Sequence, residues 1–130
     1  MDIFKTFATD TAKETDGIWV DIGDAQFLVA RAGNQKYAKK LSKLFERNQK
    51  LLERKDAAAD KLSEKLMVEV LAETILLDWK NVQYEDKDLA YSRESAEMLL
   101  NIKDFRKQIM QLSDDFNAYK MVQEDDQEKN

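Results

Sequence analysis

Cysteine, histidine and proline are absent from this chain, and glycine occurs only three times. Without cysteine there is no disulfide, no thiolate metal site and no cysteine nucleophile. Without histidine the commonest general base and the commonest transition-metal ligand disappear together. Carboxylates, lysines and serines can still do chemistry, yet no G-x-G-x-x-G, Walker lysine motif or serine nucleophile elbow is present. The expectation is a protein that is not an enzyme and takes no cofactor and no metal.

Long apolar runs are missing too. Nothing approaches the roughly 20 residues of a membrane span, and the opening MDIFKTFATD lacks a basic region followed by an apolar core. No membrane partner is expected, and the cytosol is the expected location. What remains is a chain of 130 residues, 43% hydrophobic and 36% charged. That is enough for one domain with a single core and heavily charged outer faces.

The net charge of −5 argues against general nucleic-acid binding, because neutralising phosphates needs a surplus of lysine and arginine. A surplus does exist locally. Between Lys36 and Lys55 eight basic residues face only Glu46 and Glu53, a local +6, which leaves −11 on the rest of the chain. Lys36, Lys40, Lys43, Arg47, Lys50 and Arg54 recur at helical spacing and form one stripe. It reads either as a solvated face or as a docking strip for an acidic partner, including a second copy of this acidic protein, with Lys40, Lys43 and Arg47 at its centre.

All three glycines lie in the first quarter, framing GIWVDIGDAQFLVARAG. Alternation at Ile18, Val20 and Ile22, and at Phe27 and Val29, predicts a β-hairpin with Gly23-Asp24 as its two-residue turn. A lone hairpin is marginal in water, so one face is expected to lie on helices. Beyond Gly33 nothing strongly forbids helix. Asn34 is placed to cap a first helix carrying Tyr37, Leu41, Leu44, Phe45, Leu51 and Leu52. RKDAAADKLSEK is either a break or an exposed stretch. A second helix, the most buried, runs from Leu62 through Leu76, Leu77 and Trp79, with the Trp79 indole N–H seeking a partner near the surface.

A polar loop, NVQYEDKDLAY, leads to Ser92, a good N-cap with Glu94 in the first turn behind it. Met98, Ile102, Phe105, Ile109, Leu112, Phe116 and Tyr119 then follow steps of four and three, the seam of one helix, or of two if Asp104 starts a new one. The fold class expected is therefore mainly α: a small helical domain with an N-terminal β-hairpin packed on it. Residues 1–16 are an N-terminal arm or short helix, 17–122 a single helical domain with the hairpin at 17–32, and 123–130 a disordered acidic tail.

Glu85, Asp86 and Asp88 invite a calcium reading, but the glycine and distal glutamate of an EF-hand loop are missing, so a solvated loop is the reading taken. Asp114 and Asp115 occupy neighbouring positions and make no acid/base pair. Trp79, Tyr84 and Tyr91 are either lids on the core or anchors in an interface, where such side chains concentrate binding energy. Met98, with Met67, Met110 and Met121, offers adaptable apolar surface or core filler.

The order GIWVDIGDAQFLVARAGNQKY, AETILLDWKNV, LAYSRESAEMLLN, FRKQI and DDF resembles the tail assembly chaperones of long-tailed, siphovirus-type bacteriophages. The resemblance covers about Gly17 to Phe116, and its most characteristic part is Asp78-Trp79 followed by Tyr91-Ser92 and Ala96, Leu99 and Leu100. It implies a non-enzymatic factor made in the host cytoplasm and absent from the mature virion. Such a factor binds the tape measure protein, keeps that long helical chain soluble and helps recruit the tail tube protein. In many relatives a ribosomal frameshift appends a further domain; this chain would be the short form, and its closing Lys129-Asn130 is compatible with an A-rich slippery tract.

Two other functions fit the residues alone. A nucleic-acid-associated regulator would use the Lys36 to Lys55 stripe on phosphates, with salt-dependent binding. A generic helical adaptor would differ from the chaperone only in its client. Self-association, basic helix against acidic surface, is expected alongside the chaperone role.

Overall fold

Gly23 adopts φ +59 while Asp24 keeps a negative φ, so a two-residue turn closes the hairpin where the sequence placed it. The computed structural model describes residues 1–122; the acidic tail expected at 123–130 lies outside the described residues. Strands β1 (Ile18–Ile22) and β2 (Ala25–Val29) pair antiparallel, with Ile22 opposite Ala25 and Val20 opposite Phe27. A third strand, β3 (Leu76–Lys80), pairs antiparallel with the far side of β2, giving a sheet of order β1-β2-β3.

That third strand overturns the expected fold class. The molecule is mixed α/β, with a three-stranded antiparallel sheet and a second, two-stranded one, rather than mainly α. The stretch read as the end of a buried helix leaves helical geometry after Thr74 and runs on as β3. Ile75, Leu76 and Leu77 are three apolar residues in a row directly after the helical run, and so short an apolar stretch carries no period, so the pattern alone does not separate strand from helix there. The supposed loop that follows is itself ordered: β4 (Gln83–Tyr84) and β5 (Lys87–Asp88) form a small hairpin. Its turn residues, Glu85 and Asp86, both take positive φ without a glycine.

Among the described residues eight helices surround the sheets. Two short ones, α1 (Ile3–Thr6) and α2 (Thr11–Asp16), make up the N-terminal arm. Next comes α3 (Gln35–Arg47), which starts where Asn34 Oδ1 accepts the Tyr37 N–H at 3.0 Å. It stops at Asn48, and Leu51 and Leu52 belong to a separate turn, α4 (Gln49–Leu52). Lys55, at φ +53, makes the break anticipated in RKDAAADKLSEK, and Asp56 caps α5 (Ala57–Thr74), the longest and most buried helix.

Ser92 caps α6 (Arg93–Leu100) through a reciprocal box with Ser95. The single seam expected beyond it is split into three pieces, α6, α7 (Lys103–Ser113) and α8 (Phe116–Tyr119). Ile102 stands at the first break in extended conformation and exposed, so the repeat of four and three does not describe one straight helix. Asp104 lies in the first turn of α7 instead of capping it.

The main core lies between the sheet and α5, α6 and α7: Val29, Leu71, Ile75, Leu76, Leu100 and Ile109 are fully buried. A second cluster, Leu44, Leu66 and Val70, joins α3 to α5. At about 25 cal/mol per Å² of apolar surface removed from water, these side chains contribute roughly 1.5–3 kcal/mol each. Arg106 is buried between α6 and α5, donating to the Leu100 carbonyl at 2.9 Å and to Glu64 Oε1 at 2.6 Å. It thereby satisfies a carbonyl at the end of α6 that the break in the helix leaves open.

Candidate interaction surface

The seven residues singled out in the sequence fall into different settings. Trp79 is buried, and its indole N–H donates to the Leu89 carbonyl at 2.7 Å. Tyr91 packs edge-on against it with ring centroids 5.0 Å apart and donates its O–H to the Leu76 carbonyl at 2.7 Å. Burial, then the nearby Asp78 carboxylate, raises the Tyr91 phenol above its usual pKa. These two aromatics are brought together as a lid over the end of the sheet. Tyr84 stands apart, exposed on the small second sheet, and Met98 is exposed on α6.

Lys40 and Lys43 share an open cleft with Lys36, Lys39, Glu73 and Thr74, between α3 and the end of α5. Lys40 spends its charge on Glu73 at 3.0 Å, and Glu73 also lies 3.8 Å from Arg93. Lys43 and Arg47 are exposed on α3. The basic stripe is thus real as a surface, with one of its central members already paired to an acid of the same chain.

An apolar surface that the sequence reading passed over lies at the N-terminal arm. The Asp2 carboxylate accepts from Phe4 N at 3.0 Å and Lys5 N at 3.2 Å, which starts α1. No residue of α1 is buried, and Phe4 is 89% exposed. The arm is nevertheless anchored. Thr9 bridges to Lys120, Asp10 N–H donates to the Tyr119 carbonyl at 2.9 Å, and Met121 N–H donates to the Ala8 carbonyl at 2.9 Å. Phe7 packs against Phe116 in a tilted pair with ring centroids 5.5 Å apart, and Arg31 lies 5.9 Å from the Phe116 and Tyr119 ring centroids. Ile3, Phe4 and Phe7 are therefore held exposed on an anchored segment, with Met121 and Val122 exposed next to the bridge that tethers it. The available signal was Asp2 ahead of Ile3-Phe4 with Phe7 three residues on, an amphipathic turn too short to weigh by periodicity.

Among the described residues no group of three or more acidic side chains is placed to hold a metal ion, and no helix is long and apolar enough to cross a membrane. Glu85 and Asp86 are the exposed turn of the second sheet. The exposed surfaces built by these residues are the apolar arm and the basic cleft.

In comparison with known proteins, a family model described as YdaY prophage protein matches residues 32–130. No curated protein and no solved structure matches the chain.

Proposed function

The chain belongs to the YdaY prophage protein family and is phage-derived, and from that premise we propose that it is a tail assembly chaperone. In this reading it is not an enzyme. It binds the tape measure protein in the host cytoplasm, holds that client soluble and helps bring tail tube subunits to it, and it is absent from the finished virion.

The observation that carries the reading is the anchored, exposed arm. A large aromatic held 89% exposed is costly in isolation, whereas an apolar patch offered to a helical client is covered when the client binds. The resemblance from Gly17 to Phe116 and the charged exterior, which keeps a complex soluble, support the same reading.

Substitution on the arm tests it. Phe4→Asp touches no buried residue, so the fold is expected to keep its melting temperature while the amount of tape measure protein captured on co-expression falls at least about tenfold, the change that losing roughly 1.4 kcal/mol of contact produces. Capture unchanged by Phe4→Asp would remove the arm as the client surface.

A further inference from the structure

The sheet has two edges, and they are treated differently. At the β3 edge Trp79 directs its backbone groups away from β2, because Leu28↔Asp78 and Gln26↔Lys80 are the bonded pairs flanking it. The chain occupies that edge itself: the Trp79 N–H donates to Asp78 Oδ1 at 2.8 Å, and Tyr91 packs against the same end of the strand. At the β1 edge the two-residue turn makes Ile22↔Ala25, Val20↔Phe27 and Ile18↔Val29 the bonded pairs, so Trp19 and Asp21 aim their N–H and C=O groups outward. Among the described residues no strand and no backbone hydrogen bond meets them.

Nothing blunts this edge. Its sequence is Ile-Trp-Val-Asp-Ile, with no lysine, no proline and no bulge against β2, and Asp21 is the one charge in it. Ile18, Val20 and Ile22 are each half-buried on the core side, and Val20 and Ile22 already pack on the main core. On the opposite side Trp19 is exposed, its ring beneath the Lys80 ammonium at 4.3 Å.

We propose that β1 is a homodimerisation edge, in which two copies pair their β1 strands antiparallel about Val20 and so join two three-stranded sheets into one of six strands. The edge is self-complementary in that register. Trp19 falls opposite the second copy's Asp21, and both residues have free N–H and C=O groups, so each pair exchanges two hydrogen bonds and the dimer makes four. On the core side Ile18 meets the second copy's Ile22, and Val20 meets its own symmetry mate. These β-branched contacts extend the apolar face of the sheet. Asp21 never opposes Asp21, which a register shifted by one residue toward the turn would require.

The association goes beyond client binding and does not depend on it. It also differs from the charge-driven assembly that the basic stripe suggests, because backbone pairing with an apolar face resists salt while exposed ion pairs do not.

Sedimentation of the full chain over a concentration series, at low and high salt, gives the first test. The expected result is a dimer that persists at high salt; a monomer throughout overturns the proposal. Asp21→Pro removes an N–H that the fold does not use and loses only the exposed contact from Gln26 Nε2 to Asp21 Oδ1. It is expected to keep the monomer folded and weaken the dimer roughly a hundredfold, since each dimer loses two donors and strands two acceptors. A dimer indifferent to this change overturns the proposal.

The absence of native cysteine allows an independent reading of register. Val20→Cys is expected to form a disulfide-linked dimer on mild oxidation, because directly opposed, non-hydrogen-bonded positions lie within disulfide reach. Ile18→Cys and Ile22→Cys are expected to cross-link only with each other. Cross-linking in any other pattern, or none, counts against the edge. Client capture by the Asp21→Pro monomer is scored separately, so the failure of one claim leaves the other standing.

Discussion

The Tyr119 phenol donates to the Val29 carbonyl at 2.8 Å across 90 residues of sequence, closing the chain's last described turn onto the central strand of the sheet. Tyr119 is fully buried, and through its own carbonyl it receives the Asp10 N–H of the N-terminal arm. One residue thus ties the arm, α8 and β2 together. Tyr119→Phe removes one of two hydrogen bonds that the Val29 carbonyl accepts, the other coming from Ile18 in the β1–β2 ladder, and is expected to cost about 0.5–1.5 kcal/mol in urea unfolding. An unchanged midpoint would show that water replaces the phenol there.

Burial pushes the Tyr119 pKa up to about 12, against the opposing pull of Arg31. A phenol raised in the folded state adds stability that is complete below its unfolded pKa of about 10 and is lost as pH rises through the folded value. Stability is therefore expected to decline between about pH 10 and pH 12, and this part of the decline is expected to be missing from Tyr119→Phe. Unfolding free energy measured against pH in both proteins checks it; parallel curves would contradict the assignment.

Removal of Arg106 is expected to hurt far more than removal of its partner. Arg106→Ala strands the Leu100 carbonyl and opens the core, at about 2–4 kcal/mol. Glu64 is half exposed, so Glu64→Ala is expected to cost under about 1 kcal/mol. Equal costs in chemical denaturation would mean that the ion pair, and not the capped helix end, carries the stability.

Gly17 connects α2 to β1 at φ +88, and a Cβ there would stand 3.1 Å from the Leu28 side chain and 3.2 Å from the Val29 carbonyl carbon. Gly17→Ala combines a left-handed penalty with a backbone contact that cannot yield, and is expected to lower stability by about 1–3 kcal/mol. Gly23→Ala, with open space around it, is expected to cost less. The order of the two melting temperatures checks the claim.

With a net charge of −5 and Lys40 already paired to Glu73, the basic cleft is expected to retain neither DNA nor RNA at low salt. Salt-dependent retention that disappears on charge reversal at Lys40, Lys43 and Arg47 would instead favour a nucleic-acid role.

Local signals in the sequence carried to the structure; signals that depend on distant partners did not. Gly23-Asp24, Asn34 and Ser92 act within three or four residues, and each turn or cap forms where its chemistry puts it. The strand Leu76–Lys80 was not legible, because the three consecutive apolar residues Ile75 to Leu77 show no period and its partner β2 lies about 50 residues away. The break at Ile102 was hidden by an apolar residue in seam register that turns out exposed. Among the candidate residues, Trp79 found the hydrogen-bond partner its indole requires, in the Leu89 carbonyl. The exposed arm escaped notice because its anchor is Tyr119, at the other end of the described chain.

A phage tape measure protein, expressed with and without the chain and measured in the soluble fraction, tests the chaperone reading most directly. The account predicts that the client is soluble and co-purifies only when the chain is present. An insoluble client and no recoverable complex would contradict it.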